Sequence, residues 1–419
     1  MAMNYIDLVE VLLDQKKMIE KITNDIERDV DFEKYLNNEE IIAITGPRRA
    51  GKSYLMIQFR RKTKNGAYVN FEDDRLIKFS SDDFDTLLKA IYEVYGKSKT
   101  FFFDEIQNVN GWELFIRRLY NEKNKVFITG SNAKLLSSEL ATALTGRHID
   151  ILLLPFSFNE YLKLSNVKNK KYYSLDERSE ILSLFKQYLE TGGFPQFVKT
   201  NNKDILHNIY NDIIYKDIIP RFKIENEKVF KDILFYLATN TAKEVSYNNI
   251  AETLKINSVN TVKKYVNALE TAYLTFLNHQ YFESNRKLLK ANRKLYFIDN
   301  GIRNILTLPR YLDNGNLLEN LVFLELMRRG YRCFFFKDNH ECDFVVFKDK
   351  KNMAIQVCFE VNEKNKEREF KGLIEAMDFF KLNHGLIFTF DQEKTVKQNG
   401  KTIEIKPVWR WLLDVHEFH

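Results

Sequence analysis

Residues 46–53 have the sequence Gly-Pro-Arg-Arg-Ala-Gly-Lys-Ser, which matches the pattern G-x-x-x-x-G-K-S. The apolar run IIAIT (41–45) lies directly before this stretch, and the helix-like run SYLMIQFRRK begins at its last residue. The backbone N–H groups of such a loop, together with the positive end of the helix that follows, bind phosphate groups. The stretch therefore predicts a nucleotide-binding loop between a strand and a helix.

Two side chains at the end of the loop carry distinct predicted roles. Lys52 is predicted to contact the β- and γ-phosphates of ATP, and the Ser53 hydroxyl is predicted to be a ligand of Mg²⁺. Arg48 and Arg49 could contact phosphate or an acidic neighbour, and the sequence leaves both alternatives open. The predicted nucleotide-binding residues are Gly46, Pro47, Arg48, Arg49, Ala50, Gly51, Lys52, Ser53 and Tyr54.

A second acidic motif follows an apolar run, TFFFDE, at residues 100–105. Asp104, at the tip of the predicted strand, is placed to hold Mg²⁺ directly or through water. Glu105 is the natural general base or water-orienting residue for hydrolysis. The simpler alternative is an acidic turn at the end of a strand, but the phosphate-binding pattern earlier in the chain favours a catalytic pair.

Five short apolar runs between residues 40 and 155 alternate with helical stretches. Continuous apolar runs are typical of strands buried on both faces of a parallel sheet. We therefore predict an α/β domain built on five parallel strands. The runs are 41–45, 67–71, 100–105, 125–130 and 149–154.

The composition limits the classes of protein that the chain can form. With 419 residues, two to four domains are expected. A net charge of +6, from 64 basic and 58 acidic residues, is too small to name nucleic acid as a partner. Three cysteines without Cys-x-x-Cys spacing indicate free thiols, and no apolar run reaches the roughly 20 residues that a membrane span needs. We expect a cytoplasmic protein without a membrane partner.

Residues 246–254 and 258–265 have the pattern of a helix-turn-helix, with strand-like sequence after them. Basic residues on the second helix and in a basic run at 285–294 suit phosphate contacts, so DNA is a predicted partner. The alternative is a module used only for packing or for docking a protein. The predicted DNA-binding residues are Lys263, Lys264, Arg286, Lys287, Lys290, Arg293 and Lys294.

Several motifs in order along the chain resemble those of a predicted archaeal and bacterial family of AAA+ ATPases. The motifs are GPRRAGKS (46–53), YVNFEDDR (68–75), FFFDEIQ (101–107), ITGSNAKLL (128–136), LTGRHIDILLLPFSFNEYL (144–162) and GGFP (192–195). The resemblance covers essentially the whole chain. It implies an AAA+ P-loop domain with a helical lid, a winged-helix domain and a C-terminal α/β domain similar to PD-(D/E)xK nucleases.

The resulting division of the chain has five segments. An N-terminal helical segment (1–38), with Ile6, Val9, Leu12 and Leu13 on its apolar face, precedes the ATPase core (39–155). The helical lid (156–224), the winged helix (225–300) and the nuclease-like domain (301–419) follow.

The resemblance implies further catalytic roles around the nucleotide. Ser131 or Asn132 would act as sensor 1, which contacts the γ-phosphate or the attacking water. Asn70 would hold the catalytic glutamate inactive until a partner binds. Arg147 would be an arginine finger that reaches the nucleotide of a neighbouring subunit, which implies a homo-oligomer.

The nuclease-like segment departs from the pattern of the fold that it resembles. Glu319 and Asp343 fall where acidic residues are expected, but Gln356-Val-Cys358 stands where E-x-K belongs. An amide and a thiol are poor ligands for the hard cations of a two-metal nuclease. We expect no intact nuclease. The predicted activity is Mg²⁺-dependent ATP hydrolysis coupled to remodelling or translocation of DNA, with branched DNA as one candidate substrate. The alternative is a nucleotide-switched regulator of a mobile-element or defence system that acts on a protein partner.

Overall fold

The computed structural model describes residues 3–23, 25–63, 66–130, 146–284, 292–308, 313–349 and 351–414. The chain divides into two compact units, Met1–Leu153 and Leu154–His419. All three cysteines are free, as predicted. Within the described ranges, every helix is too short or too polar to cross a lipid bilayer.

The first unit is built on a sheet of five parallel strands in the order β2-β3-β4-β1-β5. All five predicted strands are confirmed. The first four runs are buried on both faces of the sheet, whereas the last run forms an edge strand that is only partly buried. The strands are β1 (Ile41–Thr45), β2 (Ala67–Asn70), β3 (Thr100–Asp104), β4 (Lys125–Gly130) and β5 (His148–Leu152).

Side chains that alternate along the strands enter two separate cores. Phe101 and Phe103 of β3 pack on one face of the sheet, whereas Phe102 packs on the other face beside Phe127 of β4. The helices of this unit are α1 (Tyr5–Glu20), α2 (Phe32–Leu36), α3 (Lys52–Lys62), α4 (Phe84–Tyr95) and α5 (Trp112–Asn121).

The predicted apolar face of α1 is wrong in part. Ile6 and Leu13 are 61% and 40% exposed, whereas Leu8, Leu12 and Ile19 are buried. The buried positions follow the helical repeat from Leu8, so the face that packs on the sheet is rotated from the predicted one. The face includes a polar residue, Gln15, which is why apolar spacing alone did not locate it.

The second unit begins with helices, as predicted for the segment 156–224, and the Gly-Gly-Phe-Pro sequence separates two of them. The helices are α6 (Phe158–Leu164), α7 (Leu175–Thr191), α8 (Pro195–Thr200), α9 (Lys203–Asp212) and α10 (Ile219–Phe222), with a π-helical turn at Ile213–Ile218.

A small antiparallel sheet with three helices follows, with the strand order β6-β8-β7. The helix-turn-helix pattern predicts a core face of Ile250, Leu254, Val262, Val266 and Leu269. All of these are buried except Leu254, which is only partly buried. The elements are α11 (Glu227–Thr239), β6 (Glu244–Val245), α12 (Tyr247–Thr253), α13 (Val259–Thr271), β7 (Thr275–His279) and β8 (Arg293–Phe297).

The last part of the chain forms a mixed sheet in the order β13-β14-β12-β11-β10-β9. The pairs β11–β12 and β12–β14 are parallel, and the other pairs are antiparallel. Two helices, α14 (Asn300–Ile305) and α15 (Asn314–Arg328), precede the sheet. The other elements are β9 (Arg332–Lys337), β10 (Glu341–Lys348), β11 (Lys351–Val357), α16 (Lys366–Phe379), β12 (His384–Thr389), β13 (Lys394–Gln398), β14 (Lys401–Pro407) and α17 (Val408–Leu413).

A buried carboxylate joins the Gly-Gly-Phe-Pro turn to the start of α14. Asp299 accepts hydrogen bonds from the backbone N–H of Gly193 at 2.7 Å and of Ile302 at 3.1 Å. Burial raises the pKa of Asp299 to about 7, although these backbone N–H groups favour its ionised form. Gly192 has a φ of 76°, and a Cβ atom built on it would lie 2.1 Å from both carboxylate oxygens of Asp299. The turn therefore requires glycine at position 192 for both conformation and space.

Replacement of this glycine is expected to destabilise the second unit. Gly192→Ala should lower the free energy of unfolding by about 2–4 kcal/mol, from left-handed strain and overlap with Asp299 together. Gly330→Ala is the matched control, because Gly330 has a φ of 75° and nothing lies within 4 Å of its Cβ position. The control should lose only about 1 kcal/mol. Equal losses in urea unfolding of the two variants would show that the contact with Asp299 is unimportant.

Candidate nucleotide-binding site

The predicted phosphate-binding loop connects β1 to α3 at the carboxyl edge of the parallel sheet. Gly46, Arg49 and Gly51 all have positive φ values, of 139°, 65° and 98°. A Cβ atom on Gly46 would lie 2.2 Å from the carbonyl oxygen of Leu153, so no larger residue fits there. The loop is therefore a tight turn whose last residue, Gly51, directly precedes α3.

The ammonium group of Lys52 is held beneath this loop. Its side chain is only 5% exposed, and Nζ donates to the carbonyl oxygens of Gly46 and Pro47, each at 3.2 Å. The same Nζ lies 3.7 Å from Oε1 of Glu105. A nearly buried cation whose main partners are neutral carbonyls is well placed to accept a phosphate group as an additional partner.

Asp104 is completely buried at the end of β3 and is surrounded by hydroxyl groups. Its carboxylate accepts a hydrogen bond from Tyr68 at 2.8 Å and others from the side chains of Thr129 and Ser53. Burial raises the pKa of Asp104, and the charge of Glu105 raises it further. The contact with Ser53 puts two hard oxygen ligands side by side, as a Mg²⁺ site requires.

Glu105 directly follows β3 and has the left-handed backbone conformation, with φ 52° and ψ 41°. Its backbone N–H donates to the Thr129 hydroxyl at 2.8 Å, which ties the end of β3 to β4. Its Oε1 faces Lys52, and its Oε2 accepts a hydrogen bond from Nε2 of Gln107. The structure thus brings Lys52, Ser53, Asp104 and Glu105 together, as the motifs predict.

Asn70 lies at the end of β2, but its described contacts do not include the catalytic glutamate. Its Oδ1 accepts a hydrogen bond from the backbone N–H of Glu72 at 2.9 Å. Its backbone N–H and carbonyl both pair with the Gln15 side chain of α1, at 2.9 and 3.0 Å. The side-chain amide that contacts Glu105 in the described residues is that of Gln107.

The guanidinium of Arg48 pairs with Glu72 at 3.0 Å, and its contact with phosphate stays a prediction. Arg49 takes the left-handed turn position in the loop, and Tyr54 is 44% exposed on the first turn of α3. The acidic neighbour is therefore an actual partner of Arg48.

Arg147 lies at the opposite edge of the sheet from the loop of its own chain. Its carbonyl oxygen accepts a hydrogen bond from Ile41, the first residue of β1, and its guanidinium lies 5.9 Å from the Tyr120 ring centre. Five strand residues at about 3.3 Å each separate this edge from Gly46. Arg147 therefore lies far from the phosphate-binding loop of its own chain.

Some predicted site residues lie outside the described part of the chain. These are the sensor candidates Ser131 and Asn132 and the basic residues Arg286, Lys287 and Lys290. Among the other predicted DNA contacts, Lys263 and Lys264 are exposed on α13. Arg293 donates to the Tyr247 hydroxyl at 2.7 Å and is partly buried.

Lys294 requires a correction, because it does not offer its charge to solvent as a DNA contact would. Its side chain is 2% exposed, and Nζ lies 2.9 Å from Glu319, 2.7 Å from Glu341 and 2.8 Å from Asp343. The strand pairing of β8 turns this side chain toward the C-terminal sheet. We therefore remove Lys294 from the predicted DNA surface.

The carboxylates around Lys294 are the acidic residues that the nuclease resemblance singled out, with Glu341 added. Asp343 also accepts a hydrogen bond from the backbone N–H of Val357 at 2.9 Å, and its own N–H donates to Gln356 at 3.2 Å. Burial raises the pKa of Glu319, and the nearby charge of Asp343 adds to this effect. Burial alone would lower the pKa of Lys294, but the surrounding carboxylates raise it well above its usual value. Asp343 and Gln356 are thus hydrogen-bonded neighbours on adjacent strands.

The parallel sheet, the phosphate-binding loop and the Asp104–Glu105 pair together define an AAA-type P-loop domain. A family model described as an AAA domain matches residues 38–162. Two models described as domains of unknown function, DUF8612 and DUF4143, match residues 182–312 and 314–411.

Relatives of nearly equal length identify the family of the whole chain. The chain is 38% identical to the uncharacterized protein MJ1544 of Methanocaldococcus jannaschii, over 96% of this chain and 94% of that protein. It therefore belongs to the family of MJ1544. An uncharacterized protein of Haemophilus influenzae is 33% identical over 92% of this chain and 95% of its own length.

Solved structures give more distant matches. The Walker-type ATPase PABY2304 of Pyrococcus abyssi is 16% identical, with a TM-score of 0.43, over 69% of this chain and 99% of that one. AMPPCP-bound DnaA from Aquifex aeolicus is 14% identical, with a TM-score of 0.25, over 57% of this chain and 85% of that one.

Proposed function

We propose that this protein is a Mg²⁺-dependent ATPase in which water attacks the γ-phosphate of ATP. The observation that carries the proposal is the convergence of Lys52 and Glu105, whose Nζ and Oε1 atoms lie 3.7 Å apart beside the loop. Lys52 would bind the β- and γ-phosphates, and Glu105 would take a proton from the attacking water.

The residues beside the loop fit a magnesium ion bound with the nucleotide. Ser53 and Asp104 contact each other and would hold the ion, directly or through water. The ion would supply positive charge to the phosphate oxygens. Thr129 fixes both acidic residues, since it contacts the Asp104 carboxylate and accepts from the Glu105 N–H.

We propose that Arg147 acts on the nucleotide of a neighbouring copy in a homo-oligomer. Its place at the amino edge of the sheet, beside Tyr120, supports a role between chains rather than within one. An arginine supplied in this way stabilises the charge that develops on the phosphate.

We propose that residues 225–300 form a winged helix and that ATP hydrolysis is coupled to remodelling of DNA. The order helix, strand, helix, helix, strand, strand supports this assignment. Exposed Lys263 and Lys264 on α13, the second helix of the helix-turn-helix, suit contacts with phosphates.

The test of this function is ATP hydrolysis by the purified chain with Mg²⁺, measured with and without duplex DNA. We expect DNA to raise the rate, and Lys263→Ala/Lys264→Ala to lose this rise. Loss of two phosphate contacts should also reduce the salt dependence of DNA affinity, by roughly 1.8 in the log–log slope.

A matched control removes the same charge elsewhere in the same unit. Lys366→Ala/Lys371→Ala changes two lysines of α16 and should keep the stimulation by DNA. Slow hydrolysis by the wild-type chain that DNA does not change would favour the nucleotide-switched regulator. Absence of Mg²⁺-dependent hydrolysis would contradict the proposed function.

We propose that the C-terminal domain has the PD-(D/E)xK-like fold without nuclease activity. Two observations support this view. Gln356 and Cys358 stand where the resemblance leads us to expect an acid and a lysine. The chain's own ammonium, on Lys294, lies among Glu319, Glu341 and Asp343, where it offsets their charge.

A further inference from the structure

The turn after β3 contains Gln107, whose side chain has no role in the mechanism proposed above. Residues Ile106–Asn108 form a single 3₁₀ turn. Backbone hydrogen bonds close it, from Asn108 to Glu105 at 3.1 Å and from Val109 to Ile106 at 3.0 Å. The Asn108 side chain adds a bond to the carbonyl oxygen of Phe71 at 3.3 Å. The turn places Gln107 at a fixed position beside the Glu105 carboxylate.

Both carboxylate oxygens of Glu105 have a partner from the chain. Oε2 accepts a hydrogen bond from Nε2 of Gln107, and Oε1 lies 3.7 Å from the Lys52 ammonium. The backbone of Glu105 is fixed in turn by the Thr129 hydroxyl. The direction of this carboxylate is therefore determined by Gln107 on one side and by the phosphate-binding loop on the other.

The orientation of the Gln107 amide follows from the chemistry of its neighbour. An ionised carboxylate only accepts hydrogen bonds, so the NH₂ group of Gln107 must face it. The other end of the amide, Oε1, is buried and has no hydrogen-bond partner among the residues that the structure describes. A buried acceptor without a donor is unfavourable. A water molecule next to Glu105 would supply such a donor.

We propose that Gln107 is a positioning residue for hydrolysis, an inference that rests on the proposed ATPase function. Its Nε2 holds Oε2 of Glu105, so that Oε1 faces the phosphate-binding loop and the attacking water. The side-chain hydrogen bond of Gln107 in the described structure goes to Glu105 and not to the loop or Lys52, so its effect is on turnover rather than on ATP binding.

The test compares three replacements of Gln107 in the full chain. Gln107→Met keeps the volume of the side chain and removes the donor, and Gln107→Ala removes both. We expect each to lower kcat about ten- to a hundredfold, because misplaced reacting groups cost rate in this range. The Kd for ATP should change less than about twofold. Gln107→Glu should be at least as slow, since it places a second carboxylate beside Glu105.

Asn110→Ala is the matched control, an exposed asparagine just after the same turn, and should keep kcat close to the wild-type value. A wild-type kcat in Gln107→Met would overturn the inference, and slow turnover in Gln107→Ala alone would assign Gln107 to packing. A parallel loss of ATP affinity would also overturn it. Absence of hydrolysis by the wild-type chain would instead contradict the proposed function itself, together with this inference.

Discussion

Glu105→Gln is expected to bind ATP normally and to hydrolyse it at least about a hundredfold more slowly than the wild-type chain. The amide keeps the size of the side chain and its place beside the loop, but it cannot take a proton from water.

Lys52→Ala is expected to impair ATP binding itself, which Glu105→Gln leaves unchanged. It should weaken ATP binding at least about thirtyfold, which corresponds to a loss of about 2 kcal/mol or more when a buried charge loses its partner.

The measurements are the Kd for ATP and the rate of phosphate release with Mg²⁺. Matched controls lie in the same unit. Lys62→Ala removes a lysine from the other end of α3, where it pairs with Glu27 at the surface. Glu122→Gln changes an exposed glutamate after α5. Both controls should behave like the wild-type chain. Hydrolysis by Glu105→Gln at the wild-type rate would remove Glu105 as the base.

Lys294→Met is expected to lower the free energy of unfolding of the second unit by about 3–5 kcal/mol. In the wild-type chain, the buried ammonium of Lys294 lies within ion-pair distance of three carboxylates. Its removal leaves these negative charges close together without a compensating positive charge. For a unit of this size the loss corresponds to a fall in Tm of roughly 10 °C. The difference should shrink as the pH is lowered, because protonation neutralises the carboxylates.

Lys337→Met is the control for this effect, because Lys337 also pairs with acidic residues, Glu244 and Glu341, but its side chain is 44% exposed. Exposed ion pairs contribute less than about 1 kcal/mol. Glu319→Gln should restore part of the stability of Lys294→Met, since it removes one of the unpaired charges. Thermal unfolding of the four proteins tests both statements. Equal stability of Lys294→Met and Lys337→Met would mean that the carboxylates do not depend on the buried lysine.

The fold and the catalytic motifs could be predicted where the signal is local in the sequence. The five strands of the first sheet are continuous apolar runs, and the loop at 46–53 has fixed spacing between a strand and a helix. The strands β13 and β14 could not be predicted, because they contain mainly polar and charged residues with few apolar ones between them. Their assignment depends on pairing at the edge of a sheet, which the local pattern does not contain.

The partners of the site residues could not be predicted for a related reason. Tyr68 and Thr129 contact Asp104 because β2 and β4 are the neighbours of β3 in the sheet. No single sequence motif specifies this strand order. Gln107 lies within the motif FFFDEIQ, but only the turn conformation directs its amide toward Glu105. Lys294 was assigned to DNA because basic residues precede it in sequence, although its strand register directs it inward.

The buried contacts of Asp299 and Lys294 have a consequence for folding. Asp299 is separated by 106 residues from the glycine that it binds, and Lys294 by 49 from Asp343. A fragment that ends at 224 would lack Asp299, and one that begins at 301 would lack Lys294. Such contacts between distant residues form late, after a large loss of chain entropy. Shorter fragments of residues 154–419 should therefore not fold on their own. The helices and sheets of this unit should reach the native state together rather than one after another.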